Sequence, residues 1–151
     1  MPIIVTISAY YAGDADQIFA SALQFSEMED AMRDLATYSG LPVSGTASQG
    51  DTFMVDVTFW GFLRVKGHQM HIERLDPVNR VIQSRECAPG IRRWDHHLSV
   101  QPVDGQVCWT DTVRIDAGWK TAFVARFAAY VYGRRHSFRR AIKVERMLTS
   151  N

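Results

Sequence analysis

Asp104-Gly105 sits between two runs that alternate apolar and polar residues, and it constrains this chain more than any other feature. Asp-Gly readily adopts the two positive-φ positions of a tight hairpin turn whose twist matches the strands it joins. If Val103 faces Gln106, then Leu98 faces Asp111 and His96 faces Val113. Side chains alternate along a strand, so Trp94, His96, Leu98 and Val100 share one face. Val107, Trp109, Asp111, Val113 and Ile115 continue it on the next strand. This face is the apolar one and must be covered. His96 and Asp111 become diagonal neighbours on it, with backbones roughly 7–8 Å apart and side chains within mutual reach.

The rest of the chain is read outward from this hairpin. Residues 3 to 10 are rich in β-branched types and predict a strand, broken by Gly13-Asp14. Asp14 with Gln17 forms a capping-box-like start, followed by Ile18, Phe19, Ala22 and Leu23 at helical spacing. A second start at Ser26 with Glu29 predicts another short helix through Leu35 and Ala36, ended by Gly40 and Pro42. From Val43 to Ala117 the chain reads as strands and turns. Thr52 to Leu63 is one expected strand with a bend at Gly61, and Val65 to Leu75 is the next. Asp76-Pro77-Val78-Asn79 and Ala88-Pro89-Gly90 are turns on either side of a strand from Arg80 to Cys87. Gly118 opens a long helix whose apolar stripe is Trp119, Phe123, Phe127, Val131, Phe138 and Ile142. That stripe is the only one long enough to cover a sheet face. Trp60 and Phe62 are read either as exposed at the bend, gating a pocket mouth, or as core on the far side.

A length of 151 residues suits a single domain, taken as 1–151, able to bury a real core. The net charge of +1 gives no bulk field toward nucleic acid, and none is expected as a partner. The cations crowd the last segment. Cys87 and Cys108 fall in strand-like runs and are read as reduced thiols of a cytoplasmic protein. The N-terminus lacks the basic region of a signal peptide, and no stretch reaches membrane-spanning length, so no membrane insertion is expected.

Three segments carry a family resemblance. Ala15-Asp16-Gln17-Ile18-Phe19 resembles the Ala-x-x-x-Val/Ile-Phe/Trp opening of START-like helix-grip proteins. Arg93-Trp94-Asp95-His96-His97 followed by Asp111-Thr112-Val113 resembles bacterial members of the SRPBCC superfamily described as polyketide cyclase/dehydrase-like. Tyr132-Gly133-Arg134-Arg135-His136 is similar to the Tyr-x-x-Arg-His signature of their last helix. The resemblance covers nearly the whole chain in element order. It implies an α+β helix-grip fold, also that of birch-pollen-allergen-like proteins. A curved antiparallel sheet of about seven strands would wrap a long C-terminal helix, with two short helices after the first strand. No single catalytic set runs through that superfamily, and the two-His, one-carboxylate iron pattern of its oxygenase subunits is not evident here.

The expected site is a mostly apolar cleft between sheet and helix with a few converging polar groups. Its lining would be Met70, Trp94, Leu98, Trp109 and Val113 from the sheet, with Phe123 and Phe127 from the helix. Arg85 would hold a ligand carboxylate or phenolate, or else pair with a neighbouring acid such as Asp111 or Glu73. That placement depends on carrying the register across the Ala88-Pro89-Gly90 turn, and a one-residue slip exchanges Arg85 for Glu86. His96 and Asp111 form either an acid/base pair or a buried, mutually satisfied pair that fixes register. Adjacent histidines point to opposite faces, so no metal site is expected and no cofactor is assigned. The leading expectation is binding of a hydrophobic small molecule: a lipid, polyketide or aromatic metabolite. A cyclase- or dehydratase-type enzyme using His96, and an interaction protein using the basic helix face, stand as alternatives. Homodimer formation stays open.

Overall fold

The computed structural model describes residues 1–42 and 44–150. Val43, where the strand region was expected to begin, lies outside the described residues. Strand β1 (Ile3–Tyr11) is followed by helices α1 (Ala15–Ala22) and α2 (Phe25–Met32). Strands β2 (Ala36–Ser39), β3 (Thr52–Phe59), β4 (Leu63–Asp76), β5 (Val81–Ala88), β6 (Ile91–Val103) and β7 (Gln106–Asp116) come next. A 3-10 turn at Gly118–Lys120 leads into α3 (Thr121–Phe138), and β8 (Lys143–Ser150) ends the described chain. The eight strands form one sheet in the order β2-β3-β4-β5-β6-β7-β1-β8. Every neighbouring pair is antiparallel.

Local chemistry explains most of these boundaries. Asp104 and Gly105 both have positive φ, and the β6–β7 register pairs Val103 with Gln106, Leu98 with Asp111 and His96 with Val113. Burial alternates without a break along β7, with Val107, Trp109, Asp111, Val113 and Ile115 inward. Asp14 caps α1 by accepting the Gln17 N–H at 2.9 Å. Asp76 closes the β4–β5 turn through the Asn79 backbone and side-chain amides, at 3.0 and 2.9 Å. Those hydrogen bonds, aided by Arg74, hold its carboxyl down at about 2.

Three features differ from the sequence reading. First, the strand expected from Thr52 to Leu63 ends at Phe59, and the next begins at Leu63 rather than Val65. Trp60 and Gly61 both have positive φ and turn the chain, so β3 and β4 pair as a hairpin. Second, α2 stops at Met32, and Ala36–Ser39 is strand β2 on the edge of β3. Strand pairing here overrides the helical spacing of Leu35 and Ala36, both of which stay buried. Gly40 is no helix cap: a Cβ there would strike the Met54 carbonyl oxygen. Third, the long helix is not the last element. The chain turns at Arg140, which has positive φ, and β8 pairs along β1. Ile142 and Phe138 are exposed instead of packed.

The helix also presents a different face. Trp119 is 91% and Phe123 76% exposed, whereas Ala125, Ala128, Ala129, Tyr132 and His136 are buried. The helical period was right and its phase was wrong. Small side chains let α3 lie close on β1, β7 and β8, and Val5, Ile7, Val113 and Ile115 fill that contact. Phe127 remains half-buried, edge-on to Phe59 at 5.0 Å between ring centroids. Glu27 of α2 receives two hydrogen bonds from Arg139, which ties α2 to the end of α3. This phase is directly testable. Phe123→Ala should change unfolding free energy by less than about 0.5 kcal/mol. Ala125→Leu, which forces bulk into a filled contact, should cost about 1–3 kcal/mol in urea denaturation. The reverse order would mean that the aromatic stripe faces the sheet.

Candidate functional site

The inner face of the sheet carries a line of polar groups in an otherwise apolar layer. Asp111, 3% exposed, accepts from two imidazoles: His96 Nε2 reaches Oδ1 at 2.7 Å and His136 Nε2 reaches Oδ2 at 2.8 Å. His136, fully buried on α3, meets the Tyr11 hydroxyl at its Nδ1, 2.7 Å away. Burial pushes the Asp111 carboxyl up, but hydrogen bonds from His136 and His96 outweigh it and hold the carboxyl well below the usual range. Burial lowers His136, against the raising effect of the Asp111 hydrogen bond, so its ring is neutral near pH 7. Burial keeps Tyr11 protonated. Donor and acceptor roles follow from these states. An ionised carboxylate only accepts, so both Nε2 atoms carry hydrogen, and neutral His136 accepts from Tyr11 O–H at Nδ1.

A second pair lies two strands away. Glu86 Oε2 accepts from His68 Nε2 at 2.7 Å, and Ser84 Oγ donates to Oε1 at 2.7 Å. Burial raises the Glu86 carboxyl, and the His68 hydrogen bond more than reverses this, leaving it ionised. Ser84 is the cross-strand neighbour of His96, so the two pairs adjoin. Trp94 and Tyr132 frame them: His68 meets Trp94 edge-on, and His96 meets Tyr132 at 5.2 Å between centroids. Burial, reinforced by the charge of Glu86, keeps the Tyr132 hydroxyl protonated.

This region is not closed. Over β1 and β7 the helix is packed tight, but His68, Met70, Trp94 and His96 on β4 to β6 are only partly covered. Phe127 and Val131 of α3 are half-buried too. We read this half-covered stretch of the inner face, beside α3, as a shallow trough. Two N–H donors beside it, Trp94 Nε1 and Arg135 Nε, are buried with no acceptor in hydrogen-bond geometry among the described residues, and the Trp94 indole is turned toward the Tyr132 hydroxyl. Arg135 lies against the Tyr132 ring, 5.3 Å from its centroid. Two open clefts, of about 310 and 460 Å³, occur elsewhere. One lies between α2 and the end of α3, and the other is lined mostly by outward-facing residues of β4 to β6.

Several expected lining residues sit elsewhere. Arg85 is on the outer face, bonded to Glu73 at 3.1 Å and near Asp95 at 3.8 Å. Ala88 pairs with Ile91 at the turn, but an irregularity between Glu86 and Ala88 shifts the strand by one residue, so Ser84 and Glu86, not Gln83 and Arg85, lie beside His96 and Trp94. Glu86 therefore takes the inward position. Leu98 and Trp109 pack with Phe19 beneath α1, and Val113 packs under the alanine face of α3. Phe123 points to solvent. Met70, Trp94 and Phe127 remain around the trough, and His96 and Asp111 are bonded as their register required.

The sequence reading placed His68 on this face and named Glu86 as the residue a one-residue slip would bring in, but it gave no such role to Tyr11, Arg135 or His136, of which His136 bonds Asp111 and Tyr11 bonds His136. The Tyr132-Gly133-Arg134-Arg135-His136 segment held a signal. Positions i, i+3 and i+4 share one helix face, which places Tyr132, Arg135 and His136 together toward the sheet. Asp111 with two histidines looks like a metal set, but both Nε2 atoms are spent on the carboxylate. Among the described residues no group of three His, Cys, Asp or Glu is arranged to hold a metal ion.

No protein-family model matches the chain, and no curated protein matches it. Solved structures do. The chain is similar to Ara h 8.0201, at 9% identity over 91% of this chain and 97% of that one, with a TM-score of 0.63. It is similar to TTHA0849 from Thermus thermophilus, at 9% identity over 91% and 92%, with a TM-score of 0.61. It is also similar to protein Ms6760 from Mycobacterium smegmatis, at 10% identity over 89% and 86%, with a TM-score of 0.70. The chain has the helix-grip fold. Identities this low establish the architecture alone. In this helix-grip chain, β8 follows the gripped helix and the sheet has eight strands.

The polar line makes stability depend on pH with a definite sign. His136 titrates lower in the folded state than its ordinary value of about 6.5, so the unfolded chain binds more protons below that pH. Asp111 and Glu86 act in the same direction below about 4. Thermal midpoints should hold from pH 8 to about 6.5, decline below it and fall more steeply below about 4. A flat profile down to pH 4 would contradict the buried neutral imidazole.

Proposed function

We propose that the trough binds a small, largely apolar molecule carrying hydrogen-bond acceptors, such as the carbonyl, phenol or carboxylate oxygens of an aromatic or polyketide-like metabolite. The observation that carries this reading is the group of buried donors without acceptors beside Tyr132. A buried N–H with no partner costs about 1–3 kcal/mol, and a ligand oxygen would remove that cost at Trp94 and Arg135. Glu86 and Asp111 are already saturated by their own histidines, so the trough offers donors and few free acceptors. Apolar contact with Met70, Trp94 and Phe127 would supply most of the affinity. The test is a binding screen of acceptor-bearing aromatic compounds, read by thermal shift and by native mass spectrometry. Trp94→Phe keeps the ring and removes the donor, and it should weaken binding about tenfold. Unchanged affinity in that variant would remove the reading.

A second reading rests on a separate observation. His96 is oriented through Nε2 by a buried carboxylate, while its Nδ1 has no hydrogen-bond partner among the described residues and its side chain is 14% exposed. An imidazole so held can pass a proton to or from a bound carbonyl compound. In this case His96→Gln would abolish turnover of a bound ligand while changing its affinity less than threefold or so. Equal loss of affinity and turnover would assign His96 to binding.

A further inference from the structure

The outward face of α3 and the tip of the β3–β4 hairpin form one aromatic surface. Trp119 projects from the 3-10 turn before α3 and Phe123 from its first turn, with Phe127 one turn further on. Phe127 meets Trp60 at 5.8 Å between centroids, and Trp60 stacks beside Phe62, which is 77% exposed. Phe127, Trp60 and Phe62 thus form a run of rings between α3 and the hairpin tip, and Phe123 and Trp119 lie four and eight residues before Phe127. Contiguous apolar exposure of this kind marks an interaction surface more often than chance packing.

The charges on the same elements have one sign. No Asp or Glu occurs between Ala117 and Val144, nor between Trp60 and Ile72. Lys120 and Arg126 on the helix, and Arg64 and Lys66 on the hairpin, are all exposed. Lys120 Nζ lies over the Trp119 ring at 5.2 Å. Two of the acids at the margins are engaged: Asp56 accepts the Gly67 N–H at 2.8 Å, and Asp116 accepts the Gly118 N–H at 2.9 Å; Asp34, beside the Leu35 carbonyl that accepts the Trp60 N–H, is exposed.

We propose that this face docks the protein onto an anionic lipid surface. Trp and Phe rings partition to the headgroup layer, and exposed Lys and Arg side chains gain from a negative leaflet. A second copy of the chain offers rings but no counter-charge, and facing cations would repel. An anionic bilayer supplies both complements across the width of the two elements. The mode is adsorption in the interface plane, since no described helix is long and apolar enough to cross a membrane. The inference does not depend on what the trough holds.

Sedimentation with phosphatidylglycerol vesicles, against phosphatidylcholine vesicles, tests it. The protein should sediment with the anionic vesicles, much less with the neutral ones, and less as salt rises. The double variant Trp119→Ser/Phe123→Ser alters only solvent-facing rings and should bind about tenfold more weakly or worse. Phe62→Ser, on the other element, should weaken binding independently, and circular dichroism confirms that each variant folds. No sedimentation with anionic vesicles, or equal sedimentation of wild type and both variants, overturns the proposal. So does a concentration-dependent dimer in velocity sedimentation that the double variant abolishes, which would give the face to a second copy.

Discussion

A carboxylate in the middle of a protein layer has to be met by donors, and in this chain Asp111 sets the terms for what surrounds it. It stands on the inward face of β7, where the alternation of the strand puts it regardless of its charge. Each oxygen takes one imidazole N–H, from His96 on the neighbouring strand and from His136 on the helix. The first bond is consistent with a single register between β6 and β7. The second selects the rotation of α3, because only the face bearing Tyr132 and His136 reaches the carboxylate. With that face turned inward, Ala125, Ala128 and Ala129 make the contact with the sheet, and Trp119 and Phe123 are carried outward. The exposed aromatic surface is thus the geometric complement of a buried charge.

Legibility in the sequence follows the range of the interactions involved. Hairpins are local, and turn chemistry at Asp104-Gly105 and at Asp76 to Asn79 gave β5, β6 and β7 nearly to the residue. The His96–Asp111 contact followed from one turn and the two-residue period. Errors begin where a distant element decides the outcome. Leu35 and Ala36 fit a helix until the free edge of β3 claims them. The segment after Arg140 is basic enough to read as a solvated helix face, until the free edge of β1 claims it as β8. The stripe on α3 is the clearest case: hydrophobicity predicted the period of the helix, while a polar partner across the layer determined its phase. Arg85 and Glu86 changed places through one irregularity beside a turn, which no propensity scale registers.

The candidate site was legible to a similar depth. The pair at its centre came from register, and Tyr132, Arg135 and His136 stood together in a segment whose spacing already put them on one face. Its emptier side was not visible, because openness is a property of several elements at once. Here α3 leans over β1, β7 and β8 and leaves β4 to β6 partly uncovered. That offset depends on β8, which extends the sheet on the far side of β1 and gives the helix a surface there.

Energetics separates what this interior does for stability from what it does otherwise. An ion-bearing network buried in a small domain recovers at best the desolvation it incurs, and apolar residues of similar volume commonly do as well or better. Asp111 and Glu86 with their histidines meet that condition, since every carboxylate oxygen has a donor. The unpaired N–H groups of Trp94 and Arg135 do not meet it. A layer that gives every carboxylate oxygen a donor and leaves the Trp94 and Arg135 N–H groups without an acceptor is unsaturated in one direction only. The outer face of α3 is asymmetric in the same sense, since it presents cations and rings without acids. Both surfaces of one helix are thereby short of negative partners, and the two proposals, an acceptor-bearing ligand within and an anionic lipid surface without, rest on that shared asymmetry.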